Sequence, residues 1–190
     1  HSGLAEVFSS ALCLQGKCPR YPFKENSILA LLDDVTISQK INVTSNLTIN
    51  GNGKTLTYTG QDRAIDVASA ANGANLTVTN LTIDCTASYC QRGINYNTNG
   101  TLVLDGVTVK GTNLSYALNM PGSADNATVT ISNSTLKGCI ALNVWGENSE
   151  INATNTTFTT VDNAEHEGYA AVKLNNDGTT SAEGSVINIT

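Results

Sequence analysis

The chain has 190 residues, a formal net charge of -6, 14% charged and 5% aromatic residues. It holds no run of about 18 apolar residues, which excludes a membrane-spanning helix, and its acidic balance argues against nucleic acid or an anionic membrane surface as partner. Sparse charge with abundant Asn, Thr, Gly and Ser suits a secreted or cell-surface β protein, and the absence of an initiator Met before His1 predicts a processed or excised chain.

In chain order, residues 1–33 differ from the rest. The stretches "GLAEVFSSALCLQ" and "NSILALLDD" carry helical periodicity, with Asn26 or Ser27 as the helix N-cap. They predict a small N-terminal cap over residues 1–33, ahead of a second unit spanning 34–190.

That second unit repeats. The stretches "AIDV" (64–67), "GINY" (93–96), "ALNM" (117–120), "ALNV" (141–144) and "AVKL" (171–174) share one pattern, and their starts lie 29, 24, 24 and 30 residues apart. Each is followed by a loop and a paired block of alternating residues: "NLTVTNLTID", "TLVLDGVTVK", "ATVTISNSTLK" and "EINATNTTFTT". The paired runs meet at Asn80, Gly106, Asn133 and Asn155, and "NLTINGNGKTL" (46–56) is an earlier member with Gly51-Asn52-Gly53 at its bend. Alternation gives each strand one buried face, and a period of this length marks a solenoid. Isolated hairpins would leave their apolar faces uncovered, whereas stacked coils bury them, with Ile65, Ile94, Leu118, Leu142 and Val172 in one inward ladder. The fold class is therefore all-β, a parallel β-helix of about six coils. At its corners Asn and Gly accept the left-handed backbone that other residues resist. The final "SVINIT" (185–190) reads as a strand of a further coil, which predicts a longer natural protein.

Five cysteines occur. The close pairs Cys13–Cys18 and Cys85–Cys90 predict two local disulfides if the chain is secreted, Cys139 is left as a buried thiol, and zinc is disfavoured because the only histidines are His1 and His166.

A cap, then "DDVTIS", then "NVTSNLTINGNGKTL" resembles the right-handed parallel β-helices of the pectate-lyase-like superfamily, and in particular its non-catalytic bacterial surface and adhesin-like members. The resemblance covers residues 27–190 as a pattern. It implies the fold and leaves lyases, hydrolases, tailspikes and adhesins all open.

In enzymes of that superfamily the first strand row lines the groove. The outward positions of that row in this chain are read as Thr36, Asp66, Asn95, Asn119, Asn143 and Lys173, which supply a single carboxylate where glycoside hydrolysis uses two. The "NTD", "DD" and "GHG" patterns of polygalacturonases do not occur. An Asp66–Arg92 lyase site is the catalytic alternative, against a plain surface ion pair. Trp145 is either a sugar-stacking ring or a loop anchor. The acidic run "VDNAEHEGY" (161–169) reads as a solvated loop rather than a metal site, and eleven Asn-X-Ser/Thr sequons fit the Asn- and Thr-rich composition without implying glycans.

These residues predict a recognition module for a glycan or a host or cell-surface protein, with Asp66, Arg92, Asn95, Asn119, Asn143, Trp145 and Lys173 as binding candidates. No catalytic residue, metal or cofactor is assigned. A polysaccharide lyase or glycoside hydrolase is the alternative. An ice-binding surface is third, because outward Thr in "TVT" (77–79) and "TLTYT" (55–59) does not persist in one row through every coil.

Overall fold

The computed structural model describes residues 5–8 (backbone only), 26–161 and 170–190. Cys13, Cys18 and most of the acidic run, 162–169, lie outside these residues, as does most of the expected cap.

The described chain holds β1 (Ala5–Phe8), β2 (Ser27–Leu31), β3 (Val35–Ile37), β4 (Ile41–Val43), β5 (Leu47–Tyr58), β6 (Arg63–Val67), β7 (Leu76–Asp84), β8 (Arg92–Tyr96) and β9 (Thr101–Asp105). It continues with β10 (Thr108–Lys110), β11 (Tyr116–Met120), β12 (Thr128–Ser132), β13 (Thr135–Gly138), β14 (Ile140–Val144), β15 (Glu150–Thr154), β16 (Thr157–Thr160), β17 (Val172–Leu174) and β18 (Val186–Ile189). All the strand pairings are parallel and join each strand to its counterpart one coil away, so the molecule is a parallel β-solenoid. One sheet runs β4-β6-β8-β11-β14-β17, and the other carries the two remaining strand rows of each coil.

The predicted inward ladder forms: Ile65 pairs with Ile94, Ile94 with Leu118, Leu118 with Leu142, and Leu142 with Val172. Leu76, Leu102, Val129 and Ile151 face it from the second strand row, and Ile83, Val109 and Leu136 from the third, all fully buried. The sheets alternate buried and accessible residues because strand side chains point alternately to the two faces, and the buried set forms one continuous core.

The paired blocks bend where the sequence indicates. Asn52, Asn80, Asn133 and Asn155 have φ between 48° and 52°, and Gly106 has φ 65°. β5 and β7 run through their corners as single bent strands. The two halves of "NLTINGNGKTL" never pair with each other: both pair with β7, Leu47–Asn50 before the corner and Lys54–Thr57 after it.

The helical reading of "NSILALLDD" fails. Ser27–Leu31 is a strand, buried at Ser27, Leu29 and Leu31 and paired in parallel with Leu47–Asn50. Ala5–Phe8, inside the first stretch read as helical, is a strand paired with Ser27–Leu31's own Ile28–Leu31. The apolar spacing of "SILAL" satisfies both periods, and a neighbouring strand edge, which periodicity does not register, decides for the extended form. Asn26 is no helix cap; at φ 60° it turns a corner.

Candidate functional site

The outer face of the six-stranded sheet holds a continuous polar chain. Asn95 Nδ2 donates to Asp66 Oδ1 (2.8 Å), Asn119 Nδ2 to Asn95 Oδ1 (2.8 Å), Asn143 Nδ2 to Asn119 Oδ1 (2.7 Å) and Asn175 Nδ2 to Asn143 Oδ1 (2.8 Å). From Asp66 to Asn143 the same position of each repeat, stacked at the strand spacing of about 4.8 Å, brings one side chain's acceptor to the next amide's donor. Asp66, Asn95, Asn119 and Asn143 are only 4%, 2%, 6% and 2% exposed, so each amide exchanges water for its neighbour.

Two memberships of this row change. Thr36 pairs with Thr57 in the other sheet, and Asn42 is the residue that pairs with Asp66. At the far end Asn143 pairs with exposed Lys173, while Asn175 takes the hydrogen bond. Strand spacing of 24 to 30 residues carries no register for β3 and β4, which are three residues each.

At its Asp66 end the chain meets charges that periodicity did not single out. Lys40 Nζ donates to Asp66 Oδ2 (2.7 Å) and Asp62 Oδ2 (2.9 Å), and Arg63 Nη1 lies 3.2 Å from Asp62 and 3.7 Å from Asp66. Partial burial pushes the Lys40 ammonium down, but the hydrogen bonds to Asp66 and Asp62 outweigh it and hold the group above its ordinary value. Lys40 and Asp62 sit just before their strands, on turns where the sequence shows no alternation.

Arg92 does not reach Asp66 with any hydrogen bond among the described residues. Its guanidinium lies 4.0 Å from the centroid of the Tyr116 ring and donates to the Gln91 carbonyl (2.8 Å). Burial lowers its proton affinity, and the neighbouring Arg63 adds to the effect. The ring stack and the bond to Gln91 fix the position of this guanidinium.

Trp145 is half-buried and lines a cleft of about 440 Å³ with Asn97, Pro121, Asp125, Glu147 and Thr180. Asn97 Oδ1 is buried there without a hydrogen-bond partner.

Cys85 and Cys90 depart from the expected disulfide. Both are free, buried thiols in hydrogen-bonding contact with each other, and Cys90 Sγ also donates to the Arg92 carbonyl (3.0 Å). Contact with Cys85 lowers the Cys90 thiol's proton affinity, while the same contact and burial raise that of Cys85. The spacing brings the sulfurs together, but a covalent bond also needs an oxidant, which no sequence spacing supplies. Cys139 is a buried free thiol, as expected.

The Thr rows also need correcting. The registers align Thr55, Thr82, Thr108, Thr135 and Thr157 in one unbroken outward column along the third strand row. The column two residues further along reads Thr57, Asp84, Lys110, Lys137 and Thr159. Persistence was hidden in the sequence because loops of unequal length precede each Thr.

Among the described residues no group of three or more His, Cys, Asp or Glu side chains is placed to hold a metal ion, and no helix is long and apolar enough to cross a membrane. Comparison with protein-family models, with curated proteins and with solved structures finds no match for this chain.

Proposed function

We propose that this chain is a secreted or cell-surface recognition module, a right-handed β-helix of pectate-lyase-like type, that binds a glycan or a surface protein in the manner of an adhesin and performs no chemistry. The observation that carries this reading is the amide chain from Asp66 to Asn175. Its side chains spend their donors and acceptors on one another, and its one carboxylate is neutralised by Lys40. General acid–base work needs a free acid and a free base held against a substrate, and this row offers neither. What it does supply is rigidity, a stiff sheet from which loops and outer columns present fixed shapes to a partner. Weak binding by one such module becomes effective in many copies on a surface.

One observation favours the alternative, a polysaccharide lyase or glycoside hydrolase. Asp62 and Asp66 share Lys40, so two carboxylates stand close together beside Arg63. The test is to incubate the whole chain with polygalacturonate and mixed glycans, with and without calcium, and to follow both binding and new reducing or unsaturated ends. Binding without turnover supports recognition. Turnover that disappears in Asp66→Asn or Arg92→Ala overturns it in favour of catalysis.

A further inference from the structure

We infer that the cleft around Trp145 is a binding subsite for the face of a neutral sugar ring, an inference that rests on the recognition reading and gives it a place and a ligand class.

The cleft sits where the six-stranded sheet turns towards the second strand row. Asn97, Trp145 and Asn175 each follow the last residue of β8, β14 and β17, and their backbone amides extend the coil-to-coil ladder. Asn97 N donates to the Val67 carbonyl (2.9 Å), Trp145 N to that of Met120 (2.8 Å) and Asn175 N to that of Val144 (2.9 Å). The indole therefore projects from the rigid sheet margin rather than from a mobile loop.

The surrounding loops are tied down without any ligand. Glu147 N donates to Asp125 Oδ1 (2.7 Å), which joins two coils across the cleft. Asp177 Oδ1 accepts from Thr179 N (2.9 Å), Thr180 N (2.8 Å) and Thr179 Oγ1 (2.8 Å), which fixes the 176–181 turn. A Cβ on Gly122 would lie 2.7 Å from Thr180 Cγ2, so the absence of a side chain there lets the two loops close on each other. A site already ordered loses little conformational entropy when it is filled.

The chemistry of the lining selects the ligand. Trp145 offers a flat apolar face, which matches the C–H face of a pyranose. The polar lining combines the carboxylates of Asp125 and Glu147 with the hydroxyls of Ser123, Thr180 and Ser181, backed by Asn97, whose Oδ1 is buried without a hydrogen-bond partner. Among the described residues no Lys, Arg or His lines it. Hydroxyls, which both donate and accept, suit this lining, and its two carboxylates repel negative charge, which together favour a neutral sugar over a uronate or sulfated one. The volume of about 440 Å³ is in the range of small-molecule sites and takes one or two sugar rings.

The chain contains a single Trp, so its intrinsic fluorescence reports on this cleft alone. The experiment titrates the whole chain with cellohexaose, xylohexaose, mannohexaose and hexagalacturonate, reading Trp fluorescence and calorimetry together. The expected result is that at least one neutral oligosaccharide binds with a fluorescence change and that hexagalacturonate does not. Trp145→Ala should weaken the calorimetric affinity by about tenfold, with an unchanged far-UV circular dichroism spectrum. Glu147→Lys, at an exposed position on the cleft, should admit hexagalacturonate. If sugars bind with silent fluorescence and undiminished affinity in Trp145→Ala, the subsite is overturned while the recognition reading stands. If only hexagalacturonate binds the native chain, the ligand class is overturned. If no oligosaccharide binds, the subsite is overturned and recognition is left to protein partners.

Discussion

Among the described residues seven asparagines hold a left-handed backbone, at Asn26, Asn52, Asn80, Asn126, Asn133, Asn148 and Asn155, and the corners depend on them residue by residue. At the corner between the second and third strand rows, Asn155 Nδ2 donates to Asn133 Oδ1 (2.9 Å), and Asn133 Nδ2 donates to Asp105 Oδ1 (2.8 Å). Where Gly106 lacks an amide, the carboxylate of the preceding Asp105 continues the column. Replacing Asn133 by Ala forces an ordinary L residue into φ 50° and removes both bonds, so we expect a loss of about 1–2 kcal/mol, read as a lower urea midpoint at constant slope. Asn133→Gly should lose less, because Gly accepts this conformation without strain. The bonds from Asn133 and Ser132 hold the Asp105 carboxyl below its ordinary proton affinity in the folded state. Its contribution is therefore fully present above the unfolded value of about pH 4 and is lost as pH falls through the lower folded value. Asp105→Asn should flatten the acid limb of a stability-versus-pH curve in that window, and an unchanged limb would show that other carboxylates set it.

At the scale of the element, register decides which surface a row of like residues makes. The Thr column at Thr55, Thr82, Thr108, Thr135 and Thr157 is regular, yet its neighbour column is interrupted by Asp84, Lys110 and Lys137. Stacked Thr pairs stabilise parallel strands by about 0.2–1 kcal/mol each, which accounts for the column without a ligand. A lattice of ice would meet long charged side chains beside a single Thr row, so thermal hysteresis of the native chain is expected to equal that of buffer. A gap between melting and freezing that closes in Thr108→Lys would assign the column to ice instead. The strand Ser27–Leu31 gives the matching lesson for a short element: a five-residue apolar run takes the conformation of the edge it meets.

For the whole molecule, stability is a sum over coils and their interfaces, so it should vary along the axis. β8, β11 and β14 are paired on both sides and bury their central residues completely, whereas Leu174, Val186 and Ile189 are about half exposed at 49%, 52% and 54%. Amide hydrogen exchange should be slowest at Ile94, Leu118 and Leu142 and faster by orders of magnitude across β17 and β18, with a uniform rate arguing for one cooperative unit. The sequence by itself determined the stacked architecture, the inward ladder through Ile65 to Val172 and the Asn or Gly at each corner. These follow from period-2 alternation and from the backbone preference of single residues, both local properties repeated at every coil. Only the tertiary structure decided that the Asp66 to Asn175 row closes on itself, that Lys40 and Asp62 belong beside it, that Cys85 and Cys90 rest against each other as thiols, and that Asn97 meets Trp145 across a cleft. Apart from the cysteine contact, which lies within one loop, each depends on register between residues about 22 to 48 positions apart, set by loops of unequal length, and loop length moves a side chain along the axis without leaving any periodic trace in the sequence.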